Sequence, residues 1–227
     1  MPVAQEVLGI DVSHHNGTIE WPVVARQGIA FAYAKATEGA TFTDPKFKAN
    51  WDAIRGAGML RGAYHFFHPA LPIADQADRF IAATGTLAPG DLPPMLDLEE
   101  TSPDPNKNEW PRIAKAQRVP LAIEWLERVE QALGRRPLVY TRRGFMQDWL
   151  GDPGPLVHYP VWIAHYTQAP QPMVPAGWDR WTFWQYTETG RLDGLDCQFD
   201  FNRFQGSLPE LLALAGIDTS TDAATAS

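Results

Sequence analysis

Eight short apolar runs, rich in β-branched and aromatic residues, recur along the 227-residue chain. Runs of this kind are typical of buried parallel strands, which are covered on both faces. The runs lie at residues 8–12, 29–35, 60–67, 94–99, 137–141, 161–164, 182–186 and 198–201. Helical patterns separate several of the runs and lie at about 44–55, 73–83 and 121–133. Alternation of strands and helices predicts a parallel sheet, and eight strands predict a closed barrel.

The predicted fold is of the α/β class, an irregular β/α barrel of about five β/α units followed by three strands. The last three runs follow one another too closely for full helices between them. One folded domain is expected over residues 1–215. Residues 216–227 are mostly Thr, Ser, Ala and Asp with little to bury, and we expect a flexible C-terminal tail there.

Charge and composition exclude several classes of partner. The formal net charge of -8 argues against nucleic acid and anionic membranes, which both require a basic surface. No apolar run approaches the roughly 18 residues of a membrane span, so no membrane insertion is expected. Cys197 is the single cysteine, which excludes an internal disulfide. The N-terminus lacks the profile of a secretory signal, so we expect either a mature secreted form or a protein held inside the cell until release.

Three of the predicted strands carry acidic residues. Asp97 and Glu99 are two residues apart in the fourth run and therefore share one face with Met95. Asp11 lies near the end of the first run, and Asp200 lies inside the last. The first and last strands of a barrel are neighbours, and barrel active sites lie at the carboxyl rim. We therefore expect these four carboxylates to meet over a single pocket.

Folding alone does not explain the pair formed by Asp97 and Glu99. A lone acid at a strand end, such as Asp11, is often a helix cap or a turn former. Two like charges on one face of a buried strand repel each other and lose solvation, so at least one pKa should rise. A general acid that works near neutral pH needs a raised pKa, which predicts a catalytic role for Glu99. Glu100 faces the other way and is predicted to be a surface or capping residue.

Paired carboxylates indicate cleavage of a glycosidic bond, because the sequence offers no Cys–His or Ser–His arrangement and no phosphate-binding loop. Flat aromatic rings stack on sugar faces, although most of the 26 aromatic residues are expected in the core. The candidates for substrate binding near the rim are Tyr64, Tyr140, Trp162, Tyr166, Gln185 and Tyr186.

A series of motifs occurs in a fixed order from about residue 8 to residue 205. The motifs are GIDVSHHNG from Gly9, AKATEG from Ala34, GAYHF from Gly62, PMLDLE from Pro94, YT from Tyr140, WIAHY from Trp162, WQY from Trp184 and DFNRF from Asp200. Together they resemble the family 25 glycoside hydrolases, the Chalaropsis-type lysozymes. The long Pro-rich stretch at 101–118 departs from that pattern.

The resemblance implies an N-acetylmuramidase that cuts the β-1,4 bond between N-acetylmuramic acid and N-acetylglucosamine in peptidoglycan, with retained configuration. It implies that Glu99 is the general acid, and that Asp97 either attacks the anomeric carbon or orients the 2-acetamido group. It also implies that Asp11 and Asp200 shape the pocket. No cofactor and no metal are implied, a monomer is expected, and the protein would act outside the cell on the wall, as a phage lysis enzyme or a mature secreted form.

Two alternatives stay open from the residues alone. A metal-dependent polysaccharide deacetylase would use histidines near strand ends together with Asp11. The histidines concerned are His14, His15, His65 and His68. A non-catalytic module that binds cell-wall glycans would keep the aromatic rim and lose the acids, whereas this chain has all four.

Overall fold

The computed structural model describes residues 6–218. Most of the predicted tail, from residue 219 onward, lies outside the described residues. Within them, the backbone N–H of Gly216 donates to the carbonyl of Ala213, and that of Ile217 donates to Leu212. The start of the predicted tail is therefore hydrogen-bonded to the last helix.

Nine strands of the described chain form one sheet. They are β1 (Val7–Val12), β2 (Ile29–Glu38), β3 (Phe42–Thr43), β4 (Leu60–Phe66), β5 (Met95–Asp97), β6 (Leu138–Thr141), β7 (Val161–Ala164), β8 (Phe183–Gly190) and β9 (Phe199–Phe204). The order is β1-β9-β8-β7-β6-β5-β4-β2-β3, and β1 also pairs with β2. Eight strands thus close into a barrel, and β3 forms a short hairpin with the end of β2.

The direction of the last strand makes the barrel irregular. Seven strands of the barrel run parallel to one another, namely β1, β2, β4, β5, β6, β7 and β8, whereas β9 is antiparallel to both of its neighbours, β8 and β1. Because β9 runs backwards, its first residues lie at the rim where the other strands end. Asp200 therefore reaches the predicted rim from the start of its strand. The predicted irregular β/α barrel is confirmed.

Helices cover the outside of the barrel and close one end. They are α1 (Trp21–Ala25), α2 (Phe47–Gly56), α3 (Ile73–Thr84), α4 (Lys115–Leu133), α5 (Arg143–Phe145) and α6 (Leu208–Leu214), with a π-turn at Met146–Leu150. Single 3-10 turns lie at His14–Asn16, Trp110–Arg112 and Gly154–His158. None of the helices in residues 6–218 has the length and apolarity needed to cross a membrane.

Two helix starts differ from the predicted ones. α2 begins at Phe47 instead of Pro45, although the Asp44 carboxylate accepts the backbone N–H of Lys46 at 2.8 Å, as the predicted cap would, and also contacts His14 Nδ1 at 2.7 Å. α4 begins at Lys115 and contains Pro120, where the prediction began the helix after that proline. The early turn is anchored by Arg118, which is buried and donates to two backbone carbonyls.

Large rings fill the barrel interior below the mouth. Phe31, Tyr33, Trp162 and Phe183 pack on one another, with ring centroids 4.8–6.5 Å apart. Leu211 of α6 belongs to the same cluster, so α6 plugs the end opposite the mouth. The interior is thus a packed core, and only the carboxyl end of the barrel is left for a site.

Two glycines on β1 and β4, the strands on either side of β2, make room for these rings. A Cβ added at Gly62 would lie 2.2 Å from the Tyr33 ring, and one at Gly9 would lie 2.3 Å from the Phe31 ring. Real side chains do not approach so closely, and Tyr33 is fixed because its hydroxyl donates to the Pro93 carbonyl at 3.0 Å. Only glycine fits at these two positions without moving a ring.

We predict that Gly62→Ala destabilises the fold because the added methyl group displaces Tyr33 from a filled interior. The expected loss in free energy of unfolding is about 1–3 kcal/mol, measured by urea denaturation. Gly56→Ala is the matched control, since nothing lies within 4 Å of a Cβ at the end of α2. Equal stability of the Gly62 variant and the wild type would show that the interior is not tightly filled.

Candidate active site

The four predicted carboxylates meet at the carboxyl end of the barrel. Asp11 lies near the end of β1, Asp97 at the end of β5 and Asp200 near the start of β9. The Leu98 N–H donates to the Tyr140 carbonyl, so sheet pairing continues up to the residue before Glu99. The charge of Asp11 acts to raise the pKa of each of the other three acids, Asp97, Glu99 and Asp200. Of the four, Glu99 lines the clefts described below.

Asp11 and Asp200 form a cross-strand pair of acids. They lie directly opposite each other in the antiparallel ladder between β1 and β9. Burial and the neighbouring carboxyl raise the pKa of Asp200 to about 9, and burial raises the pKa of Asp11. A hydrogen bond between the two carboxyls requires a proton, so the pair holds one proton at neutral pH.

Two side-chain amides hold the Asp11 carboxylate in place. Gln185 Nε2 and Asn202 Nδ2 donate to Asp11 Oδ2 at 2.9 and 2.8 Å. The hydroxyls of Tyr140 and Tyr166 donate to Gln185 Oε1 at 2.9 and 2.8 Å. Because its oxygen receives both hydroxyls, the Gln185 amide must present its N–H groups to Asp11. Asp11 is therefore a fixed acceptor rather than a mobile base.

The Asp97 carboxyl is buried and incompletely hydrogen-bonded. Its side chain points into the barrel on the same face as Met95, as predicted. Burial, with the nearby charge of Glu99, raises its pKa well above the usual range, while Lys35 acts in the opposite direction. Its Oδ1 atom has no partner among the described residues. An orphaned buried acceptor at a cleft is available for an N–H or O–H of a ligand.

Glu99 has the pKa expected of a general acid near neutral pH. Burial, with the charge of Glu100, raises its pKa to about 7, while Arg142 and Lys35 oppose the shift. Its backbone is fixed by Trp110, whose indole N–H donates to the Glu99 carbonyl at 2.7 Å. The Pro-rich stretch that departs from the family pattern thus contributes a buried tryptophan that supports Glu99.

A chain of charged groups ties this Pro-rich stretch to the barrel. Lys35 Nζ donates to Glu38 at 2.5 Å, and the other Glu38 oxygen lies 3.2 Å from His68 Nε2. His68 Nδ1 lies 2.9 Å from Glu109 Oε1. The His68 hydrogen bond is the main cause that lowers the pKa of Glu38 to about 2. Glu38 is therefore ionised at neutral pH and holds Lys35 beside the acids.

Two clefts meet at Glu99. One has a volume of about 710 Å³ and the other about 510 Å³, and both are lined by Glu99 and Arg142. The larger also contains Tyr140, Arg143, Ala164, His165, Tyr166, Met173 and Glu188. The smaller contains Glu100, Ser102, Pro103, Pro105, Asn108 and Trp149. An elongated ligand that occupied both clefts would pass directly over Glu99.

Three of the predicted substrate-binding residues lie at the mouth. Tyr140 and Tyr166 line the larger cleft, and the Tyr166 ring is 48% exposed. Tyr64 is partly exposed, and the charges of Asp11 and Asp97 act together with burial to raise its pKa. These three tyrosines stay candidates for contact with a sugar.

Three others do not fit the predicted role. Trp162 is fully buried in the interior core, where its indole N–H donates to Asn202 Oδ1 at 2.9 Å. Gln185 is 2% exposed and binds Asp11 instead of facing a cleft. Tyr186 lies on the opposite face of β8, where its ring packs against Phe201 and Arg203. The prediction of substrate contact is wrong for Trp162 and Gln185 because both lie too deep inside the barrel to meet a ligand. It is wrong for Tyr186 because side chains alternate along a strand, which turns this ring to the outer face.

Asn202 and Arg142 were not predicted as site residues from the sequence, and neither was the position of Glu100 in the cleft wall. Asn202 is two residues from Asp200 and shares its face, so strand alternation was a signal that could have found it. Arg142 Nη2 donates to Glu100 at 2.6 Å, and Trp149 Nε1 donates to the other Glu100 oxygen at 3.0 Å. Glu100 is thus part of the cleft wall, and no local sequence pattern predicted that contact.

Three of the four histidines of the metal-site alternative are bonded to other side chains. His65 is fully buried between Thr37 and Gln76, and burial lowers its pKa to about 3. His14 contacts Asp44, and His68 lies between two glutamates. Within residues 6–218, no group of three or more His, Cys, Asp or Glu side chains is arranged to hold a metal ion.

Comparison with known proteins gives the family. The sequence profile of glycosyl hydrolases family 25 matches residues 10–195, which include Asp11, Asp97 and Glu99. The chain belongs to this glycosyl hydrolase family, and the resemblance found in its motifs is confirmed.

Relatives cover nearly the whole chain. Lysozyme M1 of Streptomyces globisporus is 38% identical over 213 residues, 92% of this chain and 71% of that protein. The N,O-diacetylmuramidase of Chalaropsis sp is 32% identical over 218 residues, 92% of this chain and 99% of that protein. The crystal structure of the lysozyme from Streptomyces coelicolor is similar with a TM-score of 0.86 at 37% identity, covering 93% of this chain and 97% of that one.

We predict opposite pH shifts for the two halves of the Glu100–Arg142 pair. Glu100→Gln removes a negative charge beside Glu99 and lowers its pKa, so the alkaline limb of kcat/KM moves down by about 1 pH unit. Arg142→Gln removes a cation and moves the same limb up. Activity on purified cell walls as a function of pH measures both. Shifts in the same direction would show that Glu99 does not control the limb.

Proposed function

We propose that this glycosyl hydrolase is an N-acetylmuramidase, which hydrolyses the β-1,4 bond between N-acetylmuramic acid and N-acetylglucosamine in bacterial peptidoglycan. The observation that carries the proposal is Glu99, which lies where two clefts meet, two residues after the buried Asp97, and has a pKa of about 7. The names of similar proteins, a lysozyme and an N,O-diacetylmuramidase, support the choice of substrate.

Glu99 supplies the proton in the first step of the proposed reaction. At a pH below about 7 its carboxyl is protonated and donates to the glycosidic oxygen as the bond to the anomeric carbon breaks. The resulting carboxylate then accepts a proton from the water that completes hydrolysis. One residue therefore acts as acid and then as base, as retention of configuration requires.

Asp97 orients the 2-acetamido group of the substrate in this proposal. The Asp97 carboxyl is buried, and burial together with the nearby charge of Glu99 raises its pKa. Its unpartnered Oδ1 atom is suited to accept the acetamido N–H, which turns the acetamido carbonyl towards the anomeric carbon. The carbonyl oxygen attacks and forms a cyclic intermediate, and water opens it with net retention.

Asp11 and Asp200 form the floor of the proposed site. Asp11 is fixed by amides and carries the shared proton with Asp200, so neither is free to attack substrate. The one negative charge that remains on the pair instead stabilises the positive charge that develops at the anomeric carbon. Tyr64, Tyr140 and Tyr166 contribute ring faces beside this carbon.

The two alternative functions have less support. A metal-dependent deacetylase needs a cluster of ligands, and three of the four candidate histidines, His14, His65 and His68, are bonded to acids or amides. A non-catalytic glycan-binding module needs no raised pKa at Glu99. Both belong to classes other than the glycosyl hydrolase family that the chain matches.

The remaining features of the proposal follow from the family and the sequence. The partner is the glycan strand of peptidoglycan, and we propose a monomer that neither binds nucleic acid nor inserts into membranes. The site of action is the cell wall, reached as a phage lysis enzyme or as a mature secreted form. The catalytic domain spans residues 1–215, and the tail at 216–227 stays a prediction.

We predict that Glu99→Gln abolishes release of fragments from purified peptidoglycan, because an amide cannot donate the catalytic proton. Mass spectrometry of the wild-type products should give reducing ends on N-acetylmuramic acid, which the variant lacks. Arg180→Gln, an exposed arginine at the opposite end of the barrel, is the control and should leave the products unchanged. Reducing ends on N-acetylglucosamine would overturn the assignment of the bond.

We predict that glycan strands with N-deacetylated muramic acid resist cleavage, because Asp97 would have no acetamido group to orient. Chemical re-acetylation of the same strands should restore cleavage, which controls for damage to the polymer. Asp97→Asn should lower kcat by about 10²-fold or more with little change in KM. A covalent adduct on Asp97, detected by mass spectrometry of the intact protein during turnover, would instead identify Asp97 as a nucleophile.

A further inference from the structure

Arg143 lies on the wall of the larger cleft, on the side of the rim that follows β6. The strand ends at Thr141, Arg142 is extended, and Arg143 begins the short helix α5. The side chains of both arginines therefore stand at the carboxyl rim. Arg143 lines the same cleft as Glu99 and Tyr166.

Arg143 differs from the other cations near the mouth in its lack of an acidic partner. Lys35 donates to Glu38, and Arg142 donates to Glu100. Among residues 6–218, Arg143 forms no ion pair, and its guanidinium has a hydrogen bond only to Met173 Sδ, at 3.2 Å. A thioether is a weak acceptor, so the guanidinium has unused donors that face the cleft.

An exposed apolar surface lies beside this guanidinium. Met173 is 50% exposed, and Tyr166 is 48% exposed, which places both among the few large apolar side chains left accessible on the described chain. The loop that carries Met173 is held by its backbone N–H, which donates to His165 Nδ1 at 3.1 Å. Arg143, Met173 and Tyr166 thus form a wall with one cation and two apolar surfaces, which we name the arginine wall.

The surroundings of the arginine wall are mostly acidic. The protein carries a net charge of -8, and the cleft contains the acids Glu99 and Glu188. An anionic group would be repelled from most of the mouth. Among the cleft-lining arginines of residues 6–218, Arg143 is the one without an acidic partner, and its N–H donors have the forked arrangement that binds carboxylates.

We infer that the arginine wall binds a carboxylate carried by the substrate together with the methyl-bearing segment next to it, and that it selects glycan strands in which this carboxylate is free. The inference rests on the proposed muramidase function. Muramic acid carries a lactyl group, which has a methyl and a carboxyl that is either free or joined to a peptide stem with further carboxylates. The carboxylate therefore has two sources, the lactyl group and the stem. In the proposed binding mode the anion lies near Arg143 and the methyl-bearing segment lies near Met173.

The test compares Arg143→Gln with Arg180→Gln on soluble, uncross-linked glycan strands that bear peptide stems. Both variants lose one positive charge, but Arg180 lies beyond the amino ends of β7 and β8, far from the mouth. On these strands, or on the same strands after removal of the stems, we expect Arg143→Gln to raise KM about tenfold with kcat nearly unchanged, and Arg180→Gln to match the wild type. On strands whose carboxylates have been chemically amidated, the wild type should rise to the KM of the Arg143 variant.

Glycan strands whose peptide stems have been removed by an amidase distinguish the two sources of the carboxylate, the lactyl group and the stem. A KM defect of Arg143→Gln that appears only on stripped strands assigns the contact to the lactyl carboxylate, which is tied up in an amide bond until the stem is removed. A defect confined to stem-bearing strands assigns the contact to a carboxylate of the stem. Equal KM values for the wild type and Arg143→Gln on both kinds of free-acid strand would overturn the inference. Failure of the wild type to release reducing ends from any strand would instead refute the muramidase function itself.

Discussion

The mouth of this barrel depends on keeping one buried carboxyl group, Asp11, compatible with folding. An unpaired buried carboxylate costs several kcal/mol, which is comparable to the whole margin of about 5–15 kcal/mol that keeps a domain folded. Amide donors from Gln185 and Asn202, and a proton shared with Asp200, offset that cost. Because these partners come from β8 and β9, the same contacts fix the strands that close the barrel. The arrangement of acids is thus part of the fold as well as part of the site.

Much of this could be predicted from the sequence because the relevant signals are local. Strand alternation alone placed Asp97 on the interior face with Met95, and the position of β5 in a barrel placed Glu99 at the rim. The close spacing of the last three runs indicated that the regular β/α pattern ends. The direction of β9 could not be derived from spacing, yet Asp200 still reached the mouth because an antiparallel strand starts where its neighbours end.

The parts that were not predicted depend on contacts between residues distant in sequence. Trp162 and Gln185 have the right face but lie too deep to touch a ligand, and depth is set by how strands stagger around the barrel. The pair of Arg142 with Glu100 joins residues 42 positions apart. Trp110 reaches Glu99 only because an irregular loop folds back under it. Periodicity carries no information on any of these three relations.

The junction of two clefts at Glu99 has a topological consequence. A pocket closed at one side admits only the terminus of a polymer, whereas Glu99 lines two clefts. A long strand that occupied both clefts would be bound at an interior position and would not have to be threaded from an end. Cleavage there divides one long molecule into two of arbitrary length, so the average size of the polymer falls steeply after very few events. For a mesh under tension, such random scission weakens the material long before much of it has dissolved.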